Sequence, residues 1–169
     1  MLSKKMQKML NDQINMELYS AYIYWSISAY FHSMNLDGFA RWMRLQGQEE
    51  MTHAAKIFDH VLERDGTVTL AQVKGPPTSW KSPLAACQAA LKHEQMNSKR
   101  FNTLMDAALS EKDHASSTFL QWFVDEQVEE EAQTSALVEN VRMVKDSGGA
   151  LFMLDRELGA RQLGPEEGA

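Results

Sequence analysis

"QGQEEMTHAAKIFDHV" runs from Gln46 to Val61 and reads as a helix, with Ala54, Ile57 and Val61 recurring on one face. Glu50 and His53 fall one turn apart on that same face, which Met43 extends toward the N-terminus. Burying a carboxylate and an imidazole in an apolar stripe costs several kcal/mol unless they are paired or bound to a cation. Whether the rest of the chain supplies their partners decides both the fold and the chemistry.

Working outward, three more long stretches carry the same 3.6-residue period. Met6, Leu10, Ile14, Leu18 and Ala21 form the first stripe. The stretch quoted above belongs to the second, which opens after "HSMNLDG" (32–38) and includes Phe39, Trp42 and Met43. A third begins near Pro83, a favoured first-turn residue behind the possible cap Ser82, and carries Cys87, Leu91, Phe101, Met105 and Ala108. The fourth starts near Asp113, carries Phe119, Phe123, Leu137 and Val141, and is expected to end at Gly148-Gly149.

The one long irregular segment is residues 66–83, 18 residues in all. A helix of ~28 residues is roughly 42 Å long, and 18 extended residues reach up to roughly 60 Å, so this segment can cross the full length of a bundle. The other two turns are short and predict antiparallel hairpins. The expected fold is therefore all-α: a four-helix bundle, up-down-down-up, with one long crossover. A short amphipathic piece at about 150–160, with Leu151, Phe152, Leu154 and Leu158, predicts a C-terminal fifth helix. Its use is either a subunit contact or packing across the bundle end. A single domain over 1–164 and a disordered tail over 165–169 complete the expectation.

Composition fits a soluble globular chain, with 44% hydrophobic and 24% charged residues among 169. A net charge of −6 without a basic cluster argues against nucleic-acid binding. No run is long enough to span a bilayer, and the basic start lacks a signal peptide's apolar core. The single cysteine, Cys87, cannot form an intrachain disulfide. A cytoplasmic protein is expected.

Each stripe is interrupted by polar residues: Glu17 in the first, Glu50 and His53 in the second, Glu94 in the third, Gln127 and Glu130 in the fourth. Glu17 and Glu50 are 33 residues apart, and so are Glu94 and Gln127. Both midpoints fall at a hairpin turn or its edge, so each pair lies level in its hairpin. Adding 77 carries Glu17 to Glu94, Glu50 to Gln127 and His53 to Glu130. Two related halves of one central site follow, which is what a pair of hard cations needs. Di-iron and di-manganese carboxylate bundles use a Glu from each of two helices plus Glu-x-x-His from the other two. The first half fits that pattern. The second has Gln127-x-x-Glu130 instead, which predicts a weaker, oxygen-rich position whose ion can leave. Glu49, Glu126 and Glu129 lie beside this set and are either a solvated acidic face or the holders of a further cation; Glu131 is read as solvated.

At these residues the chain resembles the non-haem ferritins of bacteria and archaea. The resemblance rests on "NDQINMELYSAYIYWS" (11–26), "GFARWMRLQGQEEMTHA" (38–54), "KHEQ" (92–95), "FLQWFVDEQVEEE" (119–131) and "LDRELGARQ" (154–162). It implies the ferritin-like bundle with a short fifth helix, assembled as a homo-oligomeric shell of twenty-four subunits. It also implies oxidation of ferrous iron by dioxygen or hydrogen peroxide at a ferroxidase centre, with storage of the ferric mineral inside. Glu17, Glu50 and His53 resemble the ligands of the first iron, with Glu50 bridging. Glu94 and Glu130 look like those of the second, with Gln127 beside them. Glu49, Glu126, Glu129 and Glu130 match the third iron site of prokaryotic members. Tyr24 matches a tyrosine that can supply an electron, and Trp122 a nearby tryptophan; by composition alone both read as core aromatics.

Two alternatives stay open. A bacterioferritin-like store would use Met51 to hold haem, but it would keep a second histidine where this chain has Glu130, and no haem is expected. A non-catalytic shell subunit would only line or nucleate mineral. One cysteine excludes the metal cluster of a rubrerythrin-like peroxidase. A di-iron oxygenase would want both Glu-x-x-His motifs, and small DNA-protecting ferritins place their ligands between subunits.

Overall fold

Helix boundaries follow the caps. In α1 (Lys4–Ser33) the Ser3 hydroxyl accepts the Met6 N–H at 3.0 Å, and in α3 (Pro83–Ser110) Ser82 accepts from Ala85 at 3.1 Å, with proline in the first turn. Asp113 caps α4 (His114–Val144) through the Ser116 N–H. Ser147 caps α5 (Gly148–Gly159). The computed structural model describes residues 2–162. The tail expected over 165–169 and the domain end expected at 164 lie outside them.

The fourth helix stops at Val144, about one turn before the glycine pair where the pattern puts its end, and the pair instead opens α5, two residues ahead of the expected start near 150. The hairpin turns use Asn35 and Lys112 in the left-handed region, with φ of 59° and 56°. They fold α1 against α2 (Asp37–Glu63) and α3 against α4, and α1 packs alongside α3. The segment after α2 is strapped to the outside of α1. Gln7 and Asn11 bond the backbone of Thr67 and Thr69, Asn15 bonds Ala71, and Ser26 reaches Pro77. The connection therefore climbs the bundle as expected, giving the up-down-down-up order.

The core divides in two. One apolar cluster contains Tyr24, Ile27, Phe31, Phe39, Met43, Leu137 and Val141. The other contains Met6, Leu10, Ile14, Ile57, Val61, Phe101 and Phe123. A buried polar layer lies between them: Gln13, Glu17, Gln46, Glu50, His53, Glu94, Asn97, Gln127 and Glu130.

The fifth helix lies across the bundle end against α2 and α4. Leu151, Leu154 and Leu158 face the first cluster, while Phe152 and Met153 point outward. Helix α2 has no cap of its own; the Asp155 carboxylate of α5 accepts the Phe39 N–H at 3.0 Å instead. A Cβ on Gly38 would sit 1.6 Å from the Asp155 carbonyl oxygen, so only glycine allows this approach.

Candidate metal centre

Glu17 comes from α1, Glu50 and His53 from α2, Glu94 from α3, and Gln127 and Glu130 from α4. All six are buried in the layer between the apolar clusters. Within it, one ligand atom each of Glu17, Glu50 and His53 lie within 4.8 Å of one another. Both Glu50 oxygens and His53 Nδ1 lack any hydrogen-bond partner, although Nδ1 lies 3.5 Å from Glu50 Oε2. Buried polar atoms are almost always paired, so three orphans converging on one point call for a cation. The His53 ring is braced edge-on by Trp122 and Phe123, with centroids at 5.5 and 5.8 Å. Lys56 Nζ sits 3.6 Å over the Trp122 ring centroid.

The other half is already satisfied by donors. The Tyr24 hydroxyl donates to Glu94 Oε1 at 2.5 Å. The Gln127 amide donates to Glu94 Oε2 and to Ser98 Oγ at 3.3 and 3.2 Å. The Gln46 amide donates to Glu130 Oε2 at 2.7 Å. An ion near Glu94 and Glu130 must compete with these bonds, whereas one among Glu17, Glu50 and His53 meets open lone pairs on Glu50 and His53 and shares Glu17 with the amides of Gln13 and Asn97.

Burial pushes the Glu50 carboxyl well up, with Glu94 and Glu17 adding repulsion. Glu130 is also pushed well up, by burial first and then by Glu94, Glu49 and Glu126, with Arg161 opposing. Burial takes Glu94 up to about 7 against the bonds from Tyr24 and Gln127. The Tyr24 phenol is pushed well above its usual range by burial and the surrounding carboxylates, so it stays a donor. Burial lowers His53, favouring the neutral ring that ligates metal. Without a cation the layer holds protons; a cation would displace them.

The outer carboxylates are arranged differently. Glu49 is half-buried, and its carboxylate accepts from the Arg161 guanidinium at 3.0 Å. Burial raises its pKa while Arg161 pulls it back. Glu126 is half-buried and Glu129 exposed. Among the described residues these three do not converge as Glu17, Glu50 and His53 do.

Met51 is exposed. His60 does not face the centre: it stacks on Phe119 with ring centroids 3.8 Å apart. His93 is buried, its Nε2 2.7 Å from Ser20 Oγ. Sequence reasoning missed Gln13, Gln46 and Asn97, which bond directly to the carboxylates of the layer. A signal was present. Gln13 and Gln46 each precede a glutamate by four residues and share the 33-residue separation of Glu17 and Glu50.

Known proteins carry this architecture. The ferritin-like domain family model matches residues 7–144. A bacterial non-heme ferritin of Bacteroides fragilis is 40% identical over 161 residues, covering 95% of this chain and 100% of its own. Another, from Campylobacter jejuni, is 38% identical over 156 residues, covering 92% and 93%. An open pore ferritin of Archaeoglobus fulgidus superposes with a TM-score of 0.95 at 50% identity, over 96% of this chain and 100% of that one.

Proposed function

This chain belongs to the ferritin-like family, and on that premise we propose that it oxidises ferrous iron within its own bundle and stores the ferric product in a shell of identical subunits. The observation that carries the reading is the set of three unpartnered atoms on Glu50 and His53 beside Glu17.

Iron is the substrate. Glu17, Glu50 and His53 hold the first Fe(II), and Glu50 reaches across to the second, held by Glu94 and Glu130 with Gln127 alongside. All-oxygen donors at the second position favour the harder Fe(III) product and a weaker hold than imidazole provides. Two Fe(II) ions each lose one electron to the oxidant. With dioxygen, two protons complete hydrogen peroxide; with hydrogen peroxide, two protons complete two waters. Protons displaced from Glu50, Glu94 and Glu130 by the incoming cations lie next to the reduced oxygen. Tyr24 donates a hydrogen bond to Glu94 and so keeps that ligand oriented toward the second position. Glu49, Glu126, Glu129 and Glu130 take a third iron on its way to or from the centre, where the ion displaces Arg161 from Glu49.

The remaining assignments follow the same reading: one domain over residues 1–164, a homo-oligomer of twenty-four subunits, no haem, and a cytoplasmic location. No helix among the described residues is long and apolar enough to cross a membrane. The test is stopped-flow oxidation of Fe(II) under air by the assembled protein and its Glu50→Ala variant. The reading expects the fast phase to disappear in the variant. Equal rates would leave a shell that only lines or nucleates mineral.

A further inference from the structure

Two arginines outside the polar layer each bond a glutamine that bonds a carboxylate of the centre. Arg100 Nε donates to Gln13 Oε1 at 2.9 Å. The Gln13 amide nitrogen donates to Glu17 Oε1 at 2.5 Å and to Asn97 Oδ1 at 2.7 Å. Asn97 then turns its own amide nitrogen to both Glu17 oxygens, at 3.4 and 3.3 Å. In the other half the Arg161 guanidinium donates to Gln46 Oε1, and the Gln46 nitrogen donates to Glu130 Oε2 at 2.7 Å. Gln13 pairs with Asn97 and Gln46 with Glu130 at the same sequence separation of 84. Each relay ends on a carboxylate in a different half of the centre, Glu17 in one and Glu130 in the other.

Chemistry dictates the direction of each chain. A guanidinium has donors and no acceptor, so the amide oxygen must face it. Once that oxygen is committed, the NH2 end of the same amide can only point inward, at the carboxylate. For Glu17 the constraint passes through two amides in succession. With the arginine gone, the amide oxygen loses its partner, and the amide can swing or turn to another donor so that the carboxylate is no longer held in place. We propose that Arg100 and Arg161 are positioning residues, one for each half of the metal centre, that act through Gln13 and Gln46 to keep Glu17 and Glu130 oriented as ligands. This rests on the metal-binding reading above.

Arg161 also ties the centre to α5. It follows that helix directly, its guanidinium lies 4.8 Å from the Trp42 ring centroid, and it contacts Glu49 and Gln133. Arg100 lines a groove of about 390 Å3 with Met9, Asp12 and Gln13, so small cations from solvent can reach its place.

The experiment is anaerobic titration of the assembled, metal-free protein with Co(II), a redox-stable probe, read by calorimetry and by the visible ligand-field bands. Groups that orient metal ligands typically change affinity 10–100-fold. Arg100→Met should therefore weaken the histidine-containing position at least about tenfold and shift its bands, leaving the other position near wild type. Arg161→Met should do the reverse. Arg100→Lys keeps a pure donor and should stay near wild type, and guanidinium ion should restore binding to Arg100→Ala. Because Arg100 acts through Gln13, Arg100→Met should add little to Gln13→Leu. The inference is overturned if folded, assembled Arg100→Met and Arg161→Met bind Co(II) as wild type does, if each weakens both positions equally, or if the Arg100 and Gln13 effects add in full. A wild-type chain that binds no pair of Co(II) ions would remove the functional reading itself, and this inference with it.

Discussion

Replacing Glu50 with glutamine should make the metal-free protein more stable and the metal-loaded protein less so. Glu50 is fully buried, and neither carboxylate oxygen has a hydrogen-bond partner. An unsatisfied buried polar group costs roughly 1–3 kcal/mol. Taking up a proton removes the charge and gives Glu50 a donor toward Glu17, and burial together with repulsion from Glu94 and Glu17 pushes the carboxyl that way. Glutamine keeps the shape, is neutral at every pH, and offers an amide nitrogen to the neighbouring carboxylates. A gain of about 2 kcal/mol follows near neutral pH, equivalent to a rise in Tm of roughly 4–8 °C for a chain of this size. Saturating Zn(II) should reverse the order, since a ligand at a hundred times its Kd stabilises the wild type by about 2.7 kcal/mol. Calorimetric unfolding of both proteins, with and without Zn(II) and in the same assembly state, reads all four values. If Glu50→Gln lowers the metal-free Tm by several degrees, the carboxylate has a structural partner in solution and the argument from its orphaned oxygens fails.

Other consequences can be measured together. The metal-free protein should lose stability as pH rises from 4.5 to about 7. Glu94 has its ordinary carboxylate pKa when unfolded and one of about 7 when folded, so its contribution is complete below the first and lost through the second. Glu50 and Glu130 shift in the same direction. The metal-loaded protein should not show this loss, because affinity itself rises as the protons leave; unfolding scans across pH with and without Zn(II) compare the two. Tyr24→Phe removes the donor that holds the Glu94 pKa down, so binding at the second position should move to higher pH, at a stability cost of roughly 1.5–3 kcal/mol when Glu94 is ionised. Co(II) titration at several pH values would read an unchanged profile if the bond does not act. Gly38→Ala drives a Cβ into the Asp155 backbone, which should displace α5, let protease cut the already exposed residues 145–147 faster and remove an N-cap worth about 1 kcal/mol. Wild-type protease resistance would show that α5 is not held there.

Much of this was legible because one physical conflict repeats. Buried carboxylates in apolar stripes are expensive, and the common 33-residue separation of Glu17 from Glu50 and of Glu94 from Gln127 points to one layer. Crossover length and the position of Pro83 behind Ser82 were equally readable. What escaped was whatever depends on contacts distant in sequence. The apolar residues of α5 could meet a neighbouring subunit or the bundle end; the close approach of Gly38 and Asp155, 117 positions apart, determines the second. Gln13 and Gln46 looked like ordinary polar helix residues because glutamine in a stripe costs less than glutamate. Arg100 and Arg161 gave no signal, since an arginine near a helix surface usually serves solubility.

In the function proposed above, the polar layer is the entry catalyst of an iron store. The direct measurement is to add excess Fe(II) under air to the metal-free assembled protein and determine how much iron stays soluble with each chain. Expected is retention far beyond what the ligands of one bundle can coordinate, and its loss or marked slowing in Glu50→Ala. Retention limited to the ions of the centre would contradict it, leaving a metal-binding bundle that does not store iron.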